Sequence, residues 1–449
     1  MSGLKVGFSS VNITPMNGIS ITGYYEKRYA EKVLDELEIE ALALNVDKTT
    51  VIMLAVDNLL LHTHTTDAFK ESIMQETGIP KEAIYIHATH THTGPQLDKN
   101  AQGELEQEYF QLVYRKIAEV SKSALEDLKT AKVGYGTKNA SEIAFVRRFR
   151  MKDGSVRTNP GVNNPEILFP IGDVDERVHV VRFDRENAET IILVNFANHP
   201  DVISGSNISA DWPGFVRKYV ERAFPNSKCI FFNGAEGDVN HINVHPSLQE
   251  SDILSDSGRG YGYEHCKYIA RAITGCVMQI FDKVKRIETD EIRYQSRKVM
   301  IPTNKGLPEE IANAHRLHEM YTAGQVKELR EMFPGMLYET KIAEAARIVS
   351  LENSPDCIEV ELSALSLGKI AFIGLPGEPF SAIGKAIKET EGWELVIPTC
   401  ITNGYAGYFP MQDSYLEGGY EAASSRFKIG VGELMIEEGK KLLNVLTKK

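Results

Sequence analysis

Short apolar, β-branched runs recur along this chain of 449 residues, at 41–46, 51–56, 83–86, 178–183, 191–196, 229–232, 358–362 and 369–373, with helix-forming text between them. Runs of four to eight apolar residues without strict alternation read as strands buried on both faces. Their alternation with helices predicts an α/β fold, a layered mixed β-sheet with flanking helices. Helical periodicity covers about 104–128, 212–223, 263–284, 308–349 and 420–446. Asp211, just before Trp212-Pro213, reads as the N-cap of the second of these. The charged stretch 307–352, interrupted by Gly324 and Pro334-Gly335, reads as a helical hairpin inserted between sheet-forming portions. No low-complexity linker or fixed-period repeat divides the chain, so a single catalytic domain over 1–449 is the expectation.

Charge narrows the class of partner. A formal net charge of −12, with no basic cluster before the terminal Lys448-Lys449, argues against nucleic acid and anionic membranes and leaves a small-molecule substrate, with a homo-oligomer left open. The five cysteines, Cys229, Cys266, Cys276, Cys357 and Cys400, are irregularly spaced with no CxxC, which indicates neither a disulfide framework nor a thiolate zinc knuckle. No basic segment followed by an apolar one opens the sequence, and a cytoplasmic protein is the expectation.

The chemistry-bearing text clusters at strand ends. Ile86-His87-Ala88-Thr89-His90-Thr91-His92-Thr93-Gly94-Pro95 carries three histidines in six positions, and His90 and His92 can share one cleft like half of a metal site. Asn198-His199-Pro200 follows a hydrophobic strand. Asn233-Gly234-Ala235-Glu236-Gly237-Asp238-Val239-Asn240 is a glycine-flanked acidic loop in which Glu236 and Asp238 suit metal ligation or the orientation of a histidine. Gly374-Leu375-Pro376-Gly377-Glu378-Pro379 delivers one carboxylate, and Asn403-Gly404-Tyr405-Ala406-Gly407-Tyr408 is a glycine-rich aromatic loop. Ordinary structural duties, such as capping, turns and a polar surface, account for each segment taken singly. His62, His64, His315 and His318 read as surface residues, and His241 and His245 as neighbours of the acidic loop.

Taken in order, these segments, together with the opening Val6-Gly7-Phe8 to Asn12-Ile13-Thr14-Pro15, resemble the catalytic domain of the neutral/alkaline (non-lysosomal) ceramidase family. The resemblance implies a zinc hydrolase whose Zn2+ is held by His90, His199, Glu378 and Tyr408, with Tyr405 the competitor of Tyr408. It further implies that His92 contacts the reacting carbonyl and that Arg147, with Arg148 its neighbour and rival, binds substrate. Asp238 is expected to hold a ligand histidine's second nitrogen, and Asn240 to lie behind the ligands or against substrate.

Three departures qualify the resemblance. Asn240 stands where the family has serine, the family's C-terminal β-sandwich has no counterpart in the motif order, and Gln96-Leu97 replaces a Gly-Gly pair. They favour a small polar substrate over ceramide, cut at an amide bond first and at an ester or lactone second. The same residues also suit a metal-dependent lyase or carbohydrate-processing enzyme in which His92 or Tyr405 moves a proton, or a metal-binding protein without activity.

Overall fold

The computed structural model describes residues 3–247 and 262–447. A large sheet is built from β1 (Lys5–Asn12), β2 (Glu38–Val46), β3 (Thr49–Val56), β4 (Ile84–Ala88), β5 (Lys129–Asn139), β6 (Arg177–Arg185), β7 (Thr190–Phe196) and β8 (Ser227–Asn233). Its order is β8-β7-β6-β5-β1-β2-β3-β4, and a short strand, Lys285–Ile287, pairs off this path with β5. Only β3–β4 and β7–β8 are parallel within it, so the sheet is mixed. A second sheet takes β9 (Ile292–Pro302), β10 (Cys357–Leu367), β11 (Ile370–Gly374) and β12 (Leu395–Thr399) in that order, the last pair parallel.

The two-residue side-chain period explains why these strands read as unbroken apolar text. In β2, Ile39, Ala41 and Ala43 face one core while Leu42, Leu44 and Val46 face another. In β7, Ile191 and Leu193 join the second of those cores, and Ile192, Val194 and Phe196 a third. The shared core also takes Leu365, Leu367, Ile370, Phe372 and Ile397 from the smaller sheet, so the two sheets pack face to face over a common interior. Helices cover the outer faces. Helices α1 (Thr63–Thr77) and α2 (Glu104–Glu126) lie over β2–β4, and α3 (Asp211–Ala223) and α4 (Tyr263–Phe281) over β6–β8.

The excursion at 308–351 is three helices and not a hairpin: α5 (Pro308–Thr322), α6 (Val326–Met332) and α7 (Met336–Leu351). They close a small core of their own around Leu317, Leu329, Tyr338 and Ile342. The smaller sheet is covered by α8 (Ser381–Lys388) and α9 (Val431–Thr447). The expected helix over 420–446 is broken, because Gly430 takes a left-handed φ of 97° and Phe427 bridges to Thr303. Asp211 is a third correction. It is the first helical residue, at φ 55°, and its carboxylate takes the backbone N–H groups of Val202, Ile203 and Trp212 in place of capping deeper into its own helix. No helix among the described residues is long and apolar enough to cross a membrane.

His87 joins the ends of β4, β8 and the segment after β12. Its Nδ1 donates to the Cys400 carbonyl at 2.7 Å and its Nε2 accepts the Asn233 N–H at 2.9 Å, which fixes a neutral ring. Burial holds its pKa down to about 3. An unfolded histidine titrates near 6.5, so between that value and about 3 the unfolded chain binds the extra proton and stability falls as pH falls, by several kcal/mol in the limit. Thermal melting across pH 7 to 4 is therefore expected to show a steep acid limb in the wild type and a shallower one in His87→Gln, which keeps a donor and an acceptor but cannot charge. Identical limbs would contradict this role.

Candidate metal centre

Five loops that leave the C-terminal ends of β4, β7, β8, β11 and β12 converge, the position at which sheets of this kind hold ligands. In the first loop, alternation separates anchors from functional groups. Thr91 and Thr93 both donate to the Ser209 carbonyl, at 2.6 and 3.1 Å, which leaves His90 and His92 to face the cleft. His90 adopts φ 76°, a conformation that costs a non-glycine residue of order 1 kcal/mol or more and marks a position held for its side chain.

Each of the three site histidines is oriented from behind by a backbone carbonyl. His90 Nδ1 lies 2.8 Å from Leu59 O, His92 Nδ1 3.0 Å from Gly23 O, and His199 Nδ1 3.0 and 3.1 Å from Glu236 O and Val239 O. A carbonyl only accepts, so each Nδ1 carries the proton and each Nε2 presents a lone pair. These lone pairs point at one another: His90 Nε2 is 3.2 Å from His199 Nε2 and 3.3 Å from His92 Nε2. Glu378 Oε2 is buried and lies 3.5 Å from His90 Nε2 and 3.3 Å from His199 Nε2. Converging lone pairs repel unless a cation sits among them. Ligand atoms ~2.0–2.1 Å from a tetrahedral zinc are themselves roughly 3.3 Å apart, so the donor set and spacing fit that ion.

Electrostatics agree with a cation-seeking site. Burial works against a charged His90, yet Glu378 and Glu236 outweigh it and push its pKa up to about 9. Burial and then Arg147 press His199 down to about 4, while burial and the other two histidines hold His92 well below its ordinary value. Burial pushes Glu236 up to about 8, whereas His90 and His199 overcome burial to hold Glu378 well below the usual carboxylate range.

The tyrosines divide their roles. Tyr405 donates to Glu378 Oε1 at 2.7 Å, which leaves Oε2 for the cluster, and the Tyr408 hydroxyl accepts Arg147 Nη2 at 3.1 Å. Glu378 and Tyr408 are held side by side by a two-residue parallel pairing of Glu378–Pro379 with Tyr408–Phe409. Arg147 is buried and reaches the cluster, with Nη1 3.3 Å from His199 Nε2, Nη2 on the Gly237 carbonyl at 2.8 Å and Nε on Glu421 at 2.7 Å. Arg148 turns the other way, to Glu417 and the Gly418 carbonyl.

Two expectations need correction. The Asp238 carboxylate takes the N–H and hydroxyl of Ser381 at the start of α8, and backbone carbonyls orient the histidines in its place. Asn240 bonds Asn159 and the Ile242 N–H outside the cluster. His241 packs its ring against His265, at 5.3 Å, and His245 is exposed. Glu421, which sequence reasoning passed over, is buried against Arg147. It lies in a short helix, Tyr420–Ser424, with no motif around it to single it out. A cavity of about 1270 Å³ elsewhere, lined by Arg157, Lys305, Met336 and Arg347, includes none of the cluster residues.

No protein-family model and no curated protein matches the chain. Solved structures do. The fold is similar to that of neutral ceramidase. The neutral ceramidase from Pseudomonas aeruginosa superposes with a TM-score of 0.72 at 15% identity, covering 100% of this chain and 75% of that one. A ceramidase complexed with C2 gives 0.71 at 14% identity, covering 99% and 75%. At such identity the likeness to neutral ceramidase shows the fold alone, and the chemistry rests on the side chains above.

Proposed function

We propose that the protein is a zinc-dependent hydrolase of a C–N amide bond in a small polar substrate, with esters and lactones the next candidates. The observation that carries this reading is the convergence of the His90 and His199 Nε2 lone pairs with Glu378 Oε2, all within 3.5 Å of one another. His90, His199 and Glu378 would hold the ion, with Tyr408 beside them as the fourth group that the family resemblance implies. A zinc ion at such a site supplies a Lewis acid and lowers the pKa of its water to roughly 7.

The chain's own groups would do the remainder. Neutral His92 offers Nε2 as a proton acceptor to the attacking water, and Asp201, 3.7 Å from its Nδ1, favours the resulting cation. The same nitrogen would return the proton to the leaving nitrogen. With His199 Nε2 engaged, Arg147 Nη1 is released to donate to the developing oxyanion, an interaction worth roughly 3–4 kcal/mol when well aimed. The rim of the site bears Tyr24, Arg28, Asp201 and Tyr405, a lining suited to polar groups in preference to long acyl chains.

Turnover of a panel of short N-acyl compounds in ¹⁸O-labelled water tests the reading. Hydrolysis places one label in the product acid, and an unlabelled, unsaturated product would establish elimination instead. A second prediction concerns Tyr405. Removing a group that orients a metal ligand costs about 10–100-fold in affinity or activity, so Tyr405→Phe is expected to weaken zinc binding by about that factor in a chelator competition. Unchanged affinity would remove Tyr405 from the site.

A further inference from the structure

Glu236 lies on the acidic loop after β8 with its side chain fully buried, at 0% exposure, and no N–H or O–H of another residue reaches either carboxylate oxygen, its own backbone N–H alone approaching it. The thiol of Cys400, a weak donor, is its polar neighbour. A buried carboxylate without a partner is costly, and the chain invests in keeping this one where it is. Gly237 passes so close to Glu378 that a Cβ there would stand 2.5 Å from the Glu378 carbonyl oxygen. A Cβ on Gly234 would stand 2.9 Å from that of Ala197. The loop is thereby clamped on both sides of Glu236, and the Glu236 carbonyl itself orients His199.

The carboxylate faces the histidine cluster. Its Oε1 is 3.9 Å from His90 Nε2, and one ligand atom from each of His90, His199, Glu236 and Glu378 lies within 4.8 Å of all the others. Ligand atoms ~2.0–2.2 Å from one divalent ion stand at most roughly 4.4 Å apart, so the 3.9 Å separation is within reach of a shared coordination sphere expanded beyond four ligands. Position separates a ligand from a base acting on substrate. His92 and Asp201 are the more exposed side of the cluster, at 13% and 27%, while the Glu236 side chain is at 0%.

We propose that Glu236 is a direct ligand of the divalent metal, adding a second carboxylate to His90, His199 and Glu378 so that two negative charges balance the ion. This rests on the metal reading of the site above. The test uses tag-free protein stripped by chelator and reloaded with Zn2+ or Co2+, comparing wild type, Glu236→Gln and Glu236→Leu. The expected result is zinc binding at least about tenfold weaker in both variants, a loss no smaller than that for outer-shell partners. The visible spectrum of the Co2+ form should change in energy and intensity as well. Metal-free Glu236→Leu should melt at or above the temperature of the metal-free wild type, because a buried unpartnered carboxylate is gone, while its gain on adding zinc shrinks. Zinc affinity within twofold of wild type together with an unaltered Co2+ spectrum in Glu236→Gln would overturn the proposal. A wild type that takes up neither ion would overturn the metal reading itself, so the two failures are distinguishable.

Discussion

His90→Gly is expected to bind no stoichiometric zinc and to turn over substrate at least about 10³-fold more slowly than the wild type, since both the activated water and the Lewis acid depend on the ion. Glycine is the informative replacement because His90 sits at φ 76°, where a Cβ is strained and glycine is not. The variant thus removes the imidazole while relieving the backbone, and its melting temperature without metal separates a loss of activity from a loss of fold. Zinc at about 1,000 times its dissociation constant stabilises a protein by roughly 4 kcal/mol. Addition of zinc should therefore raise the melting temperature of the wild type and leave that of His90→Gly where it was. Equal turnover in the two proteins would place the chemistry elsewhere.

Arg147→Met is expected to cost about 3–5 kcal/mol of stability and to reduce kcat/KM by roughly 10²–10³. The stability loss has a definite source. Arg147 Nε holds the fully buried Glu421, and the substitution leaves that carboxylate with Thr158 as its remaining close donor and the Arg148 guanidinium 4.0 Å away. Replacing both partners, as Arg147→Met/Glu421→Leu, removes the stranded charge and should restore most of the stability. Activity should stay low, because the guanidinium beside His199 is still missing. Denaturant midpoints with kcat/KM for the single and double variants separate the two effects. Recovery of activity in the double variant would show that Arg147 acts only through folding.

The histidine loops were legible in the sequence because a metal centre concentrates rare residue types at strand ends. His90, His199 and Glu378 each follow an apolar run that becomes β4, β7 or β11. Where text failed, the cause was long-range. Strand β5 is written Lys-Thr-Ala-Lys-Val-Gly-Tyr-Gly-Thr-Lys-Asn and carries few apolar residues; pairing with β1, β6 and Lys285–Ile287 makes it a strand. Helix α1 opens on Thr-His-Thr-Thr, text that suggests a polar loop. Burial of Phe69 and Ile73 against α2 decides its structure.

The same limit applied within the site. Arg147 and Arg148 are adjacent and chemically alike, and the alternation between the end of one short strand and the start of the next sends one guanidinium to His199 and the other to Glu417. Asp238 and Glu236 are two apart on one loop. The tight approach of Gly237 to Glu378 turns one carboxylate to the α8 start and the other to the cluster, a choice that no local pattern encodes.

A zinc ion is expected where His90 Nε2, His199 Nε2 and Glu378 Oε2 converge. Anomalous diffraction above and below the zinc absorption edge, from crystals of tag-free protein grown with zinc, tests it most directly. One strong anomalous peak is expected within about 2.2 Å of His90 Nε2, His199 Nε2 and Glu378 Oε2. No peak there, or a peak confined to the His62/His64/Asp98 cluster at the surface, would contradict it.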